Sequence, residues 1–238
     1  MYEMKGRIRY SEIGYKNELT PISLVNYFQD SSTFQSEDIG LGLEYFQKRQ
    51  RAWLLSGWQI DIQRMPLLGE EVNIRTWPYG FMGFIGFRNY VMEAKDTEVL
   101  AAANAIWTWV DTAKRCPAKI EEDDVKAYPI EEKFDMEYAP RRIKLSGEGQ
   151  KKEAIQIGRE RIDTNGHMNN GHYISLAEEY LEKDVSFNRI RVEYKKEVKY
   201  RDKMIPVIYH TETAETIVLE NEEGQVHAVI EFGQQGSV

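Results

Sequence analysis

Residues 163–176 read Asp-Thr-Asn-Gly-His-Met-Asn-Asn-Gly-His-Tyr-Ile-Ser-Leu. The first part of this stretch, residues 163–170, predicts a polar turn, because Asp, Asn and Gly are favoured in turns. Apolar residues then recur at helical spacing, which predicts a helix directly after the turn. The apolar side of this helix comprises Ile174, Leu176, Ala177, Tyr180 and Leu181.

A similar order of elements occurs earlier in the chain. Thr20 and Pro21 are typical of a helix cap and a first helical position. The triplet Ile22-Ser23-Leu24 matches Ile174-Ser175-Leu176 at an offset of 152 residues. Both triplets lie early in a predicted helix, so the sequence indicates two similar halves.

Strands are predicted around both helices from alternating apolar and polar residues. Short strands at Lys5–Tyr10 and Ala154–Arg159 precede the helices. In the first half, further strands fall within residues 51–109. In the second half they are predicted at residues 190–194, 204–211, 216–220 and 226–232. A sheet wrapped around one apolar helix buries that helix, so each half is predicted to be an α+β unit of this kind.

Three regions follow from this pattern. Residues 1–116 form an N-terminal unit and residues 153–238 a C-terminal unit. Residues 117–152 contain three prolines, an acidic run at 121–124 and clusters of Lys and Arg. Their low hydrophobic density predicts a charged connector at the surface, with at most a short helix.

Composition excludes several classes of protein. The chain has 238 residues, of which 31 are basic and 39 acidic, giving a net charge of −8 that argues against a binder of duplex nucleic acid. No apolar stretch is long enough for a membrane span, and the N-terminus has no apolar signal segment. The single cysteine, Cys116, excludes an internal disulfide and a thiolate zinc cage. We therefore expect a reduced, cytoplasmic protein.

The polar turn is also the candidate active site. Two of the four histidines fall within residues 163–173, and turn propensity does not explain His167, which lies in the turn itself. Together with Asp163 and Asn165, this imidazole supplies an acid, an amide and a base just before a helix. The N-terminus of a helix favours negative charge, so a carbonyl oxygen that becomes anionic would be stabilised there. The backbone N–H groups predicted to bind such an oxyanion are those of Asn169, Asn170 and Gly171.

The first half lacks this constellation. At the offset of 152 residues it has Ser11, Ile13 and Tyr15 in place of the acid, the amide and the imidazole. If the halves are duplicates, the second is expected to be catalytic and the first to bind the substrate.

Two motifs resemble those of a known family. The pattern Asp-x-Asn-x-His-x-Asn-Asn followed by Tyr-Ile is similar to the signature of acyl-acyl-carrier-protein thioesterases of plant plastids and their bacterial relatives. Downstream, residues 193–197 (Glu-Tyr-Lys-Lys-Glu) resemble that family's Glu-Tyr-(Arg/Lys)-(Arg/Lys)-Glu strand. The resemblance extends through residues 45–58 and Trp107 and covers nearly the whole chain. It implies a double hotdog fold, in which two antiparallel sheets, each wrapped around a long helix, are fused in one chain.

The resemblance implies a hydrolase that cuts the thioester between a fatty acyl chain and acyl carrier protein. The residues on the family's catalytic positions are Asp163, Asn165, His167 and Glu197. Plant members often have cysteine directly after the glutamate, whereas this chain has Val198, so no cysteine nucleophile is available there. We expect Glu197 to act as general base on water, with Asp163 positioning either the water or the groups that neighbour Glu197. Asn165 and His167 would hold the thioester carbonyl or assist the leaving thiolate.

The substrate implied is a phosphopantetheine-linked acyl chain on an acidic carrier protein. An apolar tunnel for that chain is predicted to be lined by Trp53, Trp58, Trp77 and Met82, although ordinary core packing explains these residues equally well. The carrier protein is predicted to contact Arg141, Arg142, Lys144, Lys195 and Lys196, because a local basic patch can attract an acidic partner.

Other interpretations stay open at this point. A coenzyme A thioesterase would use the same site, and a hotdog without catalysis would only bind acyl chains or carrier protein. A metal hydrolase is disfavoured, because His167 and His172 are five residues apart, about 140° on a helix, and no third ligand is evident. No organic cofactor is expected, since no glycine-rich phosphate loop is present. Either a monomer or a homodimer is compatible with two fused units.

Overall fold

The computed structural model describes residues 1–182 and 185–236, which fold into two compact units. Unit 1 consists of residues 1–56 and 62–138, and unit 2 consists of residues 57–61 together with those from 139 onward. Each unit contains antiparallel strands and a helix that packs on them, so the predicted α+β class is confirmed. Within the described ranges, no helix combines the length and apolar character needed to cross a membrane.

Unit 1 contains most of the strands predicted in the first half. Its elements in chain order are β1 (Tyr2–Arg7), α1 (Pro21–Asp38), α2 (Leu43–Lys48), β2 (Arg51–Ile62), β3 (Glu71–Met82), β4 (Ile85–Ala94), β5 (Val99–Asp111), β6 (Cys116–Pro117) and α3 (Glu122–Val125). The strand order is β1-β3-β4-β5-β2, and β6 pairs with β5. Strand β1 lies earlier than the predicted Lys5–Tyr10, because residues 10–12 form a 3-10 turn.

Helix α1 begins where its cap predicts. The Thr20 Oγ1 accepts a hydrogen bond from the Ser23 N–H, and Pro21 occupies the first turn. The helix continues beyond Ser31, whose buried hydroxyl donates back to the Phe28 carbonyl at 2.8 Å. Phe28 packs against Tyr90 of β4 with ring centroids 5.3 Å apart, which places α1 on that face of the sheet.

The opposite face of unit 1 is covered by the connector. Val91 alternates with Tyr90 along β4 and therefore points away from α1. Trp77, Val91 and Ala102 form a buried cluster there, against which Phe134 packs. The Trp77 Nε1–H donates to the Glu132 carbonyl at 2.8 Å. This part of the predicted connector is thus a packed strap across a sheet.

Unit 2 contains the strands predicted in the second half. Its elements are β7 (Gln150–Lys151), β8 (Ile155–Gln156), α4 (Asn170–Glu178), β9 (Arg189–Tyr194), β10 (Lys203–His210), β11 (Ala214–Glu220) and β12 (Val226–Gly233). The strand order is β9-β12-β11-β10-β7, β8 pairs with β10, and residues Gly57–Asp61 of β2 pair with β9. The strand predicted at residues 154–159 is reduced to Ile155–Gln156. Residues 183–184 and 237–238 of the predicted C-terminal unit lie outside the described residues.

Helix α4 is shorter than the sequence predicts. It has 9 residues, against 18 in α1. The long helix that the resemblance implies for each half is therefore found in the first half alone. Tyr180 and Leu181, which we expected on its apolar side, follow the last helical turn. Their N–H groups donate to the carbonyls three residues earlier, at Ala177 and Glu178, which is the pattern of a tight turn.

The two faces of unit 2 differ in polarity. Tyr194 of β9 points toward α4, where its ring contacts Tyr173. On the other face, Asp61 and Arg189 form a buried bidentate ion pair, with Nε–Oδ1 and Nη2–Oδ2 distances of 2.6 and 2.9 Å. The segment from Ala139 to Ile143 covers this polar face, where the Glu193 Oε1 accepts from the Ile143 N–H at 2.5 Å.

Candidate active site

The turn between Ile162 and Met168 is held by the side chain of Asp163. Ile162 and Met168 form a β-bridge, and the Asp163 N–H donates to the His167 carbonyl at 2.8 Å. The Asp163 Oδ1 accepts from the backbone N–H of Asn165 at 2.8 Å and from that of His167 at 3.2 Å. This Asx-type arrangement fixes the backbone that carries the predicted amide and imidazole.

Helix α4 begins directly after this turn. The Asn169 Oδ1 accepts from the Gly171 N–H at 2.9 Å and so caps the helix. Tyr194 donates its hydroxyl to the Asn170 carbonyl at 2.8 Å, and its ring lies edge-on to Tyr173 with centroids 5.3 Å apart. The first turn of α4 is therefore anchored to strand β9.

Glu197 lies beyond the end of β9, where the chain passes beside the turn. Lys199 forms a β-bridge with His167, and the Met168 N–H donates to the Val198 carbonyl at 2.8 Å. These backbone contacts bring the Glu197 Oε2 to 3.2 Å from the His167 Nε2. The Lys199 Nζ lies 3.2 Å from the other carboxylate oxygen, Oε1. All four residues predicted to be catalytic thus fall in one place.

The Glu197 carboxylate stands between an imidazole and an ammonium group where solvent can reach it. The side chains of His167 and Glu197 are 36% and 44% exposed. A carboxylate oriented in this way can accept a proton from a water molecule, which is the task of a general base. The geometry is therefore suited to activating water beside the N-terminus of a helix.

The backbone groups predicted to bind an oxyanion are mostly engaged within the chain. The Asn169 N–H donates to the Arg161 carbonyl at 2.9 Å, and the Gly171 N–H donates to the Asn169 side chain. Either group would have to exchange its partner in order to bind a substrate oxygen. Oxyanion binding by residues 169–171 stays a prediction.

The residues predicted to line an acyl-chain tunnel in unit 1 do not come together. Trp53 packs on Trp109 with centroids 4.8 Å apart, in a cluster beside the end of α1. Trp77 lies on the opposite face of the sheet, beneath the connector strap. Met82 is 68% exposed. Of these three, Trp53 alone lies on the side of the sheet that faces α1.

The fourth predicted tunnel residue, Trp58, belongs to unit 2. It is buried and pairs directly with Val192 of β9. Side chains that face each other across two strands share one face of a sheet. Trp58 therefore lies on the same face as Tyr194, toward α4.

The two segments that contain the basic residues predicted to contact carrier protein meet at Glu193. Its Oε2 pairs with the Lys195 Nζ at 2.9 Å, while its Oε1 holds the Ile143 N–H. The Arg142 carbonyl accepts from the Arg191 guanidinium at 3.3 Å. These contacts join the two basic segments, whose exposed members are Arg141, Arg142, Lys144, Lys195 and Lys196.

No described residue completes a metal site with His167 and His172. In the chain as described, the group of three side chains able to share an ion is Glu182, His210 and Glu215, with ligand atoms within 4.8 Å of one another. Burial and the nearby Arg161 guanidinium lower the pKa of His172.

Unit 1 contains a turn with the same backbone hydrogen bonds. There the Gly14 N–H donates to the Glu18 carbonyl at 2.9 Å, and Leu19 N–H donates to the Pro66 carbonyl. The 3-10 turns at residues 10–12 and 159–161 correspond as well. The offset between the halves is therefore 149 residues, and the offset of 152 was wrong.

The corrected offset changes which residues are equivalent. The positions of Asp163, Asn165 and His167 correspond to Gly14, Lys16 and Glu18, and not to Ser11, Ile13 and Tyr15. Unit 1 still lacks the acid, amide and imidazole. The Ile-Ser-Leu match at an offset of 152 residues was a coincidence, because the structurally equivalent positions lie three residues away along the helix.

Sequence reasoning missed two contributors to the site. Lys199 could have been found, because alternate residues of an extended segment share a side and Lys199 follows Glu197 by two positions. His227 of β12 gave no local signal. It reaches the Glu197 segment only through strand pairing, with its Nδ1 3.0 Å from the Glu197 carbonyl.

Both halves of the chain match models of one known protein family. Residues 1–128 match the model of the acyl-ACP thioesterase N-terminal domain, and residues 143–234 match that of the C-terminal domain. The chain belongs to the acyl-ACP thioesterase family.

Curated relatives of this acyl-ACP thioesterase family member are plant proteins. This chain is 23% identical over 230 residues to the chloroplastic oleoyl-acyl carrier protein thioesterase of Coriandrum sativum, and the match covers 84% of this chain and 60% of the relative. It is 24% identical over 227 residues to oleoyl-acyl carrier protein thioesterase 1 of Arabidopsis thaliana, covering 84% and 61%. The chain thus spans about 60% of the length of these relatives.

Solved structures in the family confirm the double hotdog fold. An acyl-ACP thioesterase from Bacteroides thetaiotaomicron superposes with a TM-score of 0.89 at 20% identity, covering 97% of this chain and 96% of that one. The 12:0-ACP thioesterase from Umbellularia californica gives a TM-score of 0.83 at 16% identity, covering 98% and 96%. At this level of identity the likeness establishes the fold.

Proposed function

We propose that this chain hydrolyses fatty acyl-acyl carrier protein to free fatty acid and carrier protein. The observation that carries the proposal is the 3.2 Å contact between the His167 Nε2 and the Glu197 Oε2 beside the first turn of α4. Membership of the acyl-ACP thioesterase family supports it, as do the relatives named oleoyl-acyl carrier protein thioesterases.

The reaction needs a base and a means of stabilising the thioester carbonyl. A water oxygen attacks the carbonyl carbon while Glu197 accepts one of the water protons. The carbonyl oxygen becomes anionic, and in this scheme the Asn165 amide N–H donates to it. The carbon–sulfur bond then breaks, and the departing thiolate takes up the proton that Glu197 received. The products are a carboxylic acid and the free phosphopantetheine thiol.

Each polar residue has a distinct part in this scheme. His167 orients the Glu197 carboxylate through its Nε2, and Lys199 attracts the other carboxylate oxygen. Asp163 shapes the turn by accepting from two backbone N–H groups. Because its carboxylate is engaged there, Asp163 is a positioning residue in this mechanism rather than a second base.

The proposed partner is acyl carrier protein, recognised by basic residues of the two segments that meet at Glu193. Arg142 and Lys144 are exposed in the segment that precedes β7, and Lys195 and Lys196 are exposed just before Glu197. Positive side chains beside the site can steer an acidic carrier toward it despite the negative net charge.

Turnover of one acyl chain on two carriers tests the function. Purified protein is incubated with the same acyl group on carrier protein and on coenzyme A, and free fatty acid and thiol are measured. We expect faster release from carrier protein and loss of release in His167→Ala. His210→Ala is a matched control, because His210 is similarly exposed at 44% and lies outside the site.

Other outcomes would replace the proposal. Faster release from coenzyme A would identify an acyl-CoA thioesterase. Binding of acyl carrier protein without any release, in the wild-type protein, would identify a non-catalytic member of the fold.

A further inference from the structure

His227 lies where strand β12 meets the segment that carries Glu197. The last paired residues of β12 and β9 are Ala228 and Tyr194. Beyond them, the N–H groups of Lys195 and Lys196 both donate to the His227 carbonyl, at 2.9 and 3.1 Å. Two residues opposite one is the arrangement of a β-bulge, which bends a strand and re-aims the side chains that follow.

The side chain of His227 adds a third contact to the same segment. Its Nδ1 lies 3.0 Å from the Glu197 carbonyl oxygen. A carbonyl oxygen only accepts hydrogen bonds, so Nδ1 carries the proton and donates. One residue of β12 therefore holds three consecutive residues, the last of which is the proposed base.

The surroundings of His227 favour one protonation state of its imidazole. His227 is 3% exposed, and among the described residues its Nε2 has no hydrogen-bond partner. A second proton on that nitrogen would place a buried N–H where no described acceptor lies, which is costly. Burial accordingly lowers the pKa of His227. The ring is thus a neutral donor with its proton on Nδ1.

We infer that His227 is a positioning residue that sets the place of the Glu197 carboxylate by holding the backbone of residues 195–197. This inference rests on the proposed function, since it assigns His227 a part in the same reaction. His167 and Lys199 orient the carboxylate from the side-chain end. His227 fixes the backbone beneath it, and a shift of about 1 Å at a catalytic group can cost about 10²-fold in rate.

Two substitutions separate positioning from simple packing. His227→Leu fills the buried space without a donor, whereas His227→Asn places an amide nitrogen near the position of Nδ1. With acyl carrier protein substrate, we expect His227→Leu to lower kcat by about 10- to 100-fold with little change in KM. His227→Asn is expected to recover most of the loss. In a Glu197→Gln background, His227→Leu should have no further effect, because residues that act through one another are not additive.

Several results would overturn the inference. An unchanged kcat per folded molecule in His227→Leu would do so, as would the same fall in wild-type and Glu197→Gln backgrounds. If His227→Leu does not fold, the tautomer is measured on the wild-type protein by nitrogen-15 NMR. A proton on Nδ1 supports the contact, and a proton on Nε2 contradicts it. Absence of any turnover by the wild-type protein would count against the proposed function instead, and the tautomer would still test the contact.

Discussion

The His167 Nε2 lies 3.2 Å from the Glu197 Oε2, and separate sets of hydrogen bonds hold the two residues in place. Beneath His167, the Asp163 carboxylate accepts from the backbone of the turn. Beneath Glu197, the segment is tied to His227 of β12. The contact is therefore the result of two separately supported pieces of backbone, each of which can be tested by substitution.

Asp163→Ala is expected to reduce activity much more than stability. The equivalent turn in unit 1 forms with Gly14 at that position, so the backbone does not require the carboxylate. We expect a loss of about 1 kcal/mol in the free energy of unfolding and about 10²-fold in kcat. Asp163→Asn keeps an acceptor oxygen and should lose less. Urea unfolding and steady-state kinetics check both. A loss of several kcal/mol with unchanged kcat per folded molecule would make Asp163 purely structural.

Rising salt is expected to raise KM for acyl carrier protein, because screening weakens attraction between the basic residues and an acidic partner. Lys144→Glu should raise KM several-fold at low salt, with kcat unchanged. Lys16→Glu is the matched control, since it makes the same change in charge on an exposed turn of unit 1. Equal effects of the two substitutions, or a KM that does not respond to salt, would count against the patch.

Stability is expected to fall with rising pH through the titration of Glu178. Burial raises the pKa of Glu178 to about 7 from its usual 4.5. Between these values the folded protein retains a proton that the unfolded chain has lost. The stabilisation is complete below pH 4.5 and is lost as pH rises through 7.

Glu178→Gln should remove this dependence. At pH 8 we expect the variant to be more stable than the wild type by about 3 kcal/mol, and about equal to it at pH 4. Urea unfolding at several pH values measures this, with the exposed neighbour in Glu179→Gln as control. Parallel pH profiles for the wild type and Glu178→Gln would refute the assignment.

Breaking the buried ion pair of unit 2 should be strongly destabilising. Asp61→Ala leaves the Arg189 guanidinium, which is almost fully buried, without its bidentate carboxylate. The expected cost is about 3–5 kcal/mol, whereas Asp38→Ala at an exposed position should stay within about 0.5 kcal/mol. Chemical denaturation measures both. A cost below about 1 kcal/mol for Asp61→Ala would show that water or rearrangement compensates the charge.

Local sequence signals predicted those parts of the fold that depend on local physics. Alternation predicted most strands because one face of each strand is buried. The start of α1 followed from Thr20, whose side chain caps it as expected. The motif residues 163–167 and Glu197 were brought together as the resemblance implied.

The remaining features depend on contacts between distant parts of the chain. The true offset between the halves was hidden, because Gly14 and Asp163 support the same turn with different chemistry. Trp77 was grouped with Trp53, although the alternation of the sheet and the connector strap place them on opposite faces. The sequence could not indicate a role for His227, because its contact with Glu197 forms only when β12 pairs with β9.

The most direct test of the account is the rate of thioester hydrolysis by Glu197→Gln on acyl carrier protein substrate. A general base contributes about 10²–10⁴-fold, so we expect kcat to fall by that factor while the fold is retained. Glu193→Gln, which keeps the acceptor for the Ile143 N–H, should stay within a few-fold of wild type. Equal losses in the two folded variants, or a Glu197→Gln enzyme as fast as wild type, would contradict the account.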